Sequence, residues 1–347
     1  MKQFAHTGRI HPRVANAVLL VFLLTFAGVT CARQDNDQTI SGADDASALE
    51  ISLELERRLR DIERLEGEVG LFHPSLIEMY DDLARFYADH DNPQQAADMY
   101  RQAMQLARVN AGLNSEQQIP YIDRLISSNL TLNNWQQVDD MHHLRYYVKS
   151  RIYDPADPRF ADAVAELGSW KLRVMRENLL DNGTRGLGNE AEELSRIYSQ
   201  SIARIQASPQ FEETVLLPLY QGKSQADLEI ARLLSETPDQ FFEGTVSRYI
   251  YESVCRNVRD PQGNVVRQCT QVQRENPRYR ASQRDNKRMM VNRSVREVEN
   301  SIQNLNTILA RNPDISPSER EQILSQIRAF EVEFQRIERN SRRSLLY

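Results

Sequence analysis

The sequence predicts a mostly α-helical protein: a solenoid of stacked helix pairs, then a small disulfide-linked β-hairpin, then a C-terminal antiparallel helical hairpin. Three observations carry that expectation. Glycine and proline are scarce, 13 of each in 347 residues, so long polar segments of helical period run with few breaks. A set of large apolar residues recurs with a step of 42 positions. Two of the three cysteines, Cys255 and Cys269, flank a tight turn in "CRNVRDPQGNVVRQC".

Taken in order, the chain opens with Lys2, Arg9 and Arg13 ahead of the apolar run "VANAVLLVFLLTFAG" from Val14 to Gly28, which ends in small residues. A charged region, an apolar region and a cleavage zone make an export signal, expected over residues 1–32. The run is shorter than the ~20 residues of a membrane span, which is the rival reading as a permanent anchor. Cleavage has two versions. Thr30 and Ala32 suit an ordinary signal peptidase, whereas "GVTC" is similar to a degenerate bacterial lipobox in which Cys31 is acylated. Either way, Cys255 and Cys269 remain as an even pair for an oxidising compartment. The polar segment 33–45 is expected to be a flexible linker.

From Ala46 to Glu66, Leu55, Leu59, Ile62 and Leu65 stand at helical spacing among acidic residues, as expected of a polar cap on the open end of a stack. The repeat follows. Ile77, Tyr80, Leu83 and Phe86 recur as Ile119, Ile122, Leu125 and Ser128, then as Ala161, Val164, Leu167 and Trp170. Pro74 and Pro158 open the first and third copies, where a missing N–H costs nothing. Within the first copy, Tyr80, Leu83, Ala84 and Tyr87 are followed, after "DHDNP", by Ala96, Tyr100 and Ala103. This pattern of large residues facing small ones resembles the tetratricopeptide repeat, and the 42-residue step is similar to its kinesin light chain variety. In the second copy Asn129, Val138, His142 and Arg145 replace the expected residues. In the third, "DNGTRGLGN" is expected as a flexible loop before a helix carrying Leu194, Tyr198 and Ser201. A fourth pair, Phe211 to Tyr220 and Ser224 to Leu234, closes the repeat domain, placed at 46–235.

The hairpin is expected within 250–275. Pro261 is preset for the first corner of a turn and Gly263 supplies a positive φ, so counting outward sets Val258 opposite Val266 and Cys255 opposite Cys269. Directly opposed cysteines at a non-hydrogen-bonded pair are close enough for a disulfide. Residues 280–347 hold a basic segment and two helical seams, Val291, Val295, Val298, Ile302 and Leu305, then Ile323, Ile327, Phe330, Phe334 and Ile337. Ser316, Pro317 and Glu319 read as N-cap, first helical residue and capping box. Self-association through these helices is a further expectation.

No catalytic motif is legible: there is no His-Glu-x-x-His, no Gly-x-Ser-x-Gly and no phosphate-binding glycine loop. His142 and His143, being adjacent, point to different sides of a helix and cannot chelate one ion. No cofactor and no metal are expected, and export argues against nucleic acid as a partner. Charge is polarised. Residues 35–69 carry a net of −7 and residues 255–297 a net of +7. The expectation is therefore a non-catalytic envelope scaffold, periplasmic or held by a lipid on Cys31. By resemblance, it binds a protein segment in the groove of the first helices, with Glu78, Asp82, Arg85 and Asp123 as groove residues. The alternatives are an envelope hydrolase that docks through the repeats and a binder of anionic lipid or glycan through residues 256–297.

Overall fold

A computed structural model of the chain describes residues 38–343. The chain divides into two units, Met1–Glu54 and Leu55–Tyr347. The described part of the first is the start of helix α1 (Gln38–Val69). Helix thus begins inside the segment 33–45 expected as a linker: the segment contains no proline, and extending an existing helix adds one hydrogen bond for each residue fixed. The expected export signal and Cys31 lie outside the described residues.

In the second unit the helices follow one another as neighbours: α2 (Ser75–Asp89), α3 (Pro93–Ala111), α4 (Ile119–Thr131), α5 (Trp135–Ile152), α6 (Pro158–Glu177), α7 (Gly183–Gln206), α8 (Leu217–Glu236) and α9 (Tyr279–Arg311). Each packs on the next, and α6 also touches α8 across the boundary between pairs. Short connections make the partners within the first three pairs antiparallel. This lateral succession is the solenoid of tetratricopeptide-like pairs that the sequence predicts. Helix α10 (Pro317–Arg343) folds back against both α8 and α9. The Ser316 hydroxyl caps it by accepting from the Glu319 N–H at 3.2 Å.

Packing follows the large-into-small rule. In the first pair Leu83, Ala84, Ala96, Tyr100 and Ala103 are all buried, and Ile122, Leu125 and Val138 continue the core into the second. Fully burying a leucine or isoleucine here contributes about 1.5–3 kcal/mol each, which is what holds one pair on the next. Ile62 of α1 is buried against Leu76, Leu83 and Leu106, with Leu55 and Leu65 beside it, as expected of a cap. In the third pair Tyr198 of α7 is 1% exposed, and its ring fits the gap left by Gly168 on α6 and Gly222 on α8.

Two further details differ from expectation. "DNGTRGLGN" is not a loop: α7 starts at Gly183 and runs through Gly186 and Gly188. Each interior glycine costs only about 1 kcal/mol relative to alanine, less than the tertiary packing of the buried Ala191, Leu194 and Tyr198 returns. The fourth pair is not formed by Phe211–Tyr220 and Ser224–Leu234: after two non-helical residues they fall in a short 3-10 turn (Glu213–Leu216) and the single helix α8. Gly222 lies inside α8 and is where Tyr198 docks. The helix that α8 packs on next is α9, so the hairpin is an insertion between two neighbouring helices.

The inserted hairpin pairs β1 (Tyr249–Arg259) with β2 (Val265–Glu275), placing Cys255 opposite Cys269 and Val258 opposite Val266. At the turn, Gly263 takes φ 87° and donates to the Asp260 carbonyl at 3.0 Å. The Asp260 carboxylate also accepts from the N–H groups of Gln262 and Asn264. Cys255 and Cys269 form a disulfide with a Cα separation of 3.9 Å. An isolated two-stranded ribbon is marginal in water, and a crosslink closing a loop this long adds about 3 kcal/mol in the chain-entropy model. Replacing both cysteines by serine is therefore expected to raise amide exchange throughout 249–275 by roughly a hundredfold, the equivalent of that energy. Exchange in α2 to α7 should not change. Protection of the ribbon that survives the double substitution would refute this account.

Candidate functional site

The first helices of the pairs present a strip of charged side chains. On α2, Asp81 is 7% exposed, pairs with Arg85 at 3.1 Å and also binds Arg124 of α4. The more exposed Asp82 accepts from the same Arg85 at 2.5 Å. The Arg124 guanidinium lies 5.5 Å from the ring centre of Tyr100 and 5.8 Å from that of Tyr121. Both phenols are pushed up, chiefly by burial, and Arg85 works against the rise in each. Glu78 adds to the rise at Tyr121, so its charge is felt there across the α2–α4 boundary.

One pair further on, Arg145 of α5 donates to Asp123 at 2.7 Å and to the His142 Nδ1 at 3.1 Å. It also approaches Glu166 of α6 at 3.4 Å, while Lys149 donates to Glu166 at 2.7 Å. Charge-assisted bonds of this kind are about twice as strong as neutral ones, so Arg145, with 15% of its side chain exposed, fixes α5 against both α4 and α6. The 42-residue step makes Asp82, Arg124 and Glu166 equivalent positions of alternating sign along α2, α4 and α6.

Of the sequence-predicted residues, Glu78, Asp82 and Arg85 are exposed on α2, and Arg85 holds Asp82. Asp123 is brought into a different cluster, with Arg145 and Glu166. Arg124, Tyr121 and Arg145 were not anticipated. Arg124 was findable, since it stands one step after Asp82 in the repeat; Arg145 was not, since small residues usually occupy its place. Asp81, beside Asp82 on α2, is an almost buried ion-pair partner.

Behind this strip, Asp139 accepts from Trp170 Nε1 at 2.8 Å and pairs with Lys171 at 2.9 Å, which also pairs with Glu190 of α7 at 2.8 Å. The His142 ring stacks on Trp170 with centroids 4.7 Å apart. Burial pushes His142 down to about 4, helped by Arg145, His143 and Lys171 and opposed by Asp139. Its folded pKa lies below the unfolded value near 6.5, so the neutral ring's contribution is complete above pH 6.5 and is lost as pH falls through 4. With the ring partly open to solvent, that loss is expected to be about 1–2 kcal/mol after screening. Urea melts at stepped pH should show it, and His142→Phe, which keeps the stack without the titration, should flatten the slope in that window. An unchanged slope would rule it out.

A cavity of about 440 Å³ opens between α7, α8 and α9. Its floor is Lys223, bound to Asp227 at 2.6 Å and to Glu297 at 3.0 Å, and Ser195 donates to Asp227 at 2.5 Å. Lys223 and Ser195 are thus both already engaged by carboxylates. Among the described residues no group of three or more His, Cys, Asp or Glu side chains could hold a metal ion.

No protein-family model matches the sequence. No curated protein matches it either. Among solved structures, the chain is similar to BtubC (BKLC) from P. vanneervenii, with a TM-score of 0.30, 16% identity, and 54% of this chain and 78% of that one covered. It is also similar to a Podosopora anserina protein described as a kinesin light chain with nearly identical TPR-like repeats, with a TM-score of 0.28, 14% identity, and 76% and 99% covered. At such scores the likeness does not carry the fold, which rests on the succession of packed helices.

Proposed function

We propose that the chain is a non-catalytic scaffold of the bacterial cell envelope that holds a segment of a partner protein against the first helices α2, α4 and α6. The observation that carries this reading is the strip of half-exposed charges at one-repeat intervals, Asp82, Arg124 and Glu166, with Tyr121 beside it. Such a strip offers alternating acceptors and donors plus an aromatic surface to an extended or helical segment. The envelope placement is supported by the basic and apolar N-terminal pattern and by the disulfide, which persists in oxidising compartments. The mature protein is then periplasmic, free or held by a lipid on Cys31.

The test is photo-crosslinking in the native envelope from position 82 or 123, with position 328 on α10 as control, followed by mass spectrometry. One partner is expected from the two groove positions and none from the control. Reversing Glu78 and Asp82 to arginine should weaken the purified pair about tenfold or more by placing like charges together. Equal capture from the control position, or unchanged affinity in the reversed variant, would exclude the groove.

A further inference from the structure

We propose that the β-hairpin and the start of α9 form a peripheral docking surface for an anionic lipid bilayer. This inference is independent of the groove. Of the eleven basic residues from Arg256 to Arg296, only Arg274 and Lys287 are in ion pairs among the described residues, with Glu252 at 3.2 Å and Asp239 at 3.3 Å. In the repeats, by contrast, Arg85, Arg124 and Arg145 are each held by carboxylates. Arg280, Arg284 and Arg288 stand four residues apart, so they form one exposed stripe on α9. None of these three guanidiniums has a carboxylate within ion-pair distance among the described residues, although Asp239, Glu243 and Glu275 line the same concavity as Arg280 and Arg284.

The same segment exposes apolar side chains that a globular surface ordinarily covers. Tyr251 is 70% exposed, Val265 64%, Val266 42%, Val272 39% and Met289 54%. Strand β2 is exposed on both faces along its whole length. At eleven residues the ribbon extends about 36 Å at ~3.3 Å per residue. Its base is fixed to the start of α9: Asn276 donates to the Arg248 carbonyl at 2.8 Å, and the Arg248 guanidinium lies over the rings of Tyr249 and Tyr279.

The combination selects the occupant. A soluble polyanion would satisfy the arginines but leave the valines and tyrosines in water. A second copy of the same surface would set like charges against each other, the net being +7 over residues 255–297. A bilayer of acidic lipid satisfies both: phosphates accept bidentate bonds from arginine, and the headgroup layer takes tyrosine and short aliphatic side chains. No described helix is long and apolar enough to cross a membrane.

The full chain is mixed with vesicles of phosphatidylcholine alone or of equal parts phosphatidylcholine and phosphatidylglycerol, and the bound fraction is measured by co-sedimentation. Binding is expected to favour the acidic vesicles and to weaken as salt is raised. Replacing Arg280, Arg284 and Arg288 together by glutamine should lower partitioning roughly a hundredfold, from the loss of three near-surface charges. Replacing Tyr251 and Val266 by serine should weaken it too, with helical content unchanged by circular dichroism. Equal binding to both vesicles, or none to either, overturns the proposal. So does a serine variant that binds like the parent, which marks a purely electrostatic polyanion site. A salt-resistant dimer abolished by Val266→Ser also overturns it, marking a second copy as the occupant.

Discussion

Gly168→Ala and Gly222→Ala are each expected to destabilise the packing of α6, α7 and α8, with a net loss of about 2 kcal/mol. Alanine is the better helix former by about 1 kcal/mol, so propensity alone predicts a gain. Sterics decide otherwise. A Cβ on Gly168 would overlap the Tyr198 hydroxyl and lie 2.5 Å from its Cζ, while one on Gly222 would overlap the same hydroxyl and lie 2.8 Å from Cε1. Tyr198 is 1% exposed and closed in from both helices, so its ring has no free direction, and overpacking of this kind costs 1–3 kcal/mol or more. The control is Gly67→Ala on α1, where nothing lies within 4 Å of the new Cβ. That substitution should stabilise by a few tenths to about 1 kcal/mol. Chemical denaturation followed by circular dichroism and by the combined emission of Trp135 and Trp170 reads both. In a Tyr198→Phe background, which removes the nearest atom, Gly168→Ala should cost distinctly less. An equal cost in both backgrounds would show that the hydroxyl does not set the gap.

The same residues show how far the sequence could be read. The first pair was legible because its large and small residues, Leu83, Ala84, Ala96, Tyr100 and Ala103, are apolar and buried, so spacing and chemistry agree. In the second pair the positions survive while the chemistry changes. Asn129 is buried and donates to the Leu125 carbonyl, His142 stacks on Trp170, and Arg145 ties three helices together. Each fills its place by hydrogen bonding or stacking, which a hydrophobic pattern does not register. Helix α9 was legible as a helix but not as the neighbour of α8, because an insertion that leaves and returns to the same place has no local signature. At the groove, Asp82, Arg85 and Asp123 were findable as polar residues between packing positions. The partner of Asp123, Arg145 on the next helix, was not, because ion pairing between successive helices depends on how they stack.

Helix α8 was the least legible of all, because Lys223, Ser224 and Asp227 interrupt its apolar pattern while being buried themselves. That arrangement underlies the largest effect expected of a single substitution. Lys223→Met should cost about 3–5 kcal/mol, since it leaves Asp227, 2% exposed, as a buried carboxylate whose cation is gone and whose remaining hydrogen bond is the Ser195 hydroxyl. Burial already pushes Asp227 up, and the coulombic attraction and hydrogen bond of Lys223 work against that rise. Without the lysine the rise must grow, and the variant should shed its penalty by protonation. A raised folded pKa means that the charged form opposes folding. Its cost is present above the folded pKa and relieved as pH falls towards the unfolded value near 3.9. The gap between parent and variant should therefore narrow from pH 7 towards pH 4, whereas groups common to both, such as His142, cancel in the difference. The double variant Lys223→Met with Asp227→Leu should recover most of the loss at pH 7, because replacing both charges by apolar groups removes the uncompensated desolvation. Denaturation of the three proteins at both pH values provides the measurement. A gap independent of pH, or a double variant no more stable than the single one, would mean that Lys223 acts by filling space rather than by neutralising the carboxylate.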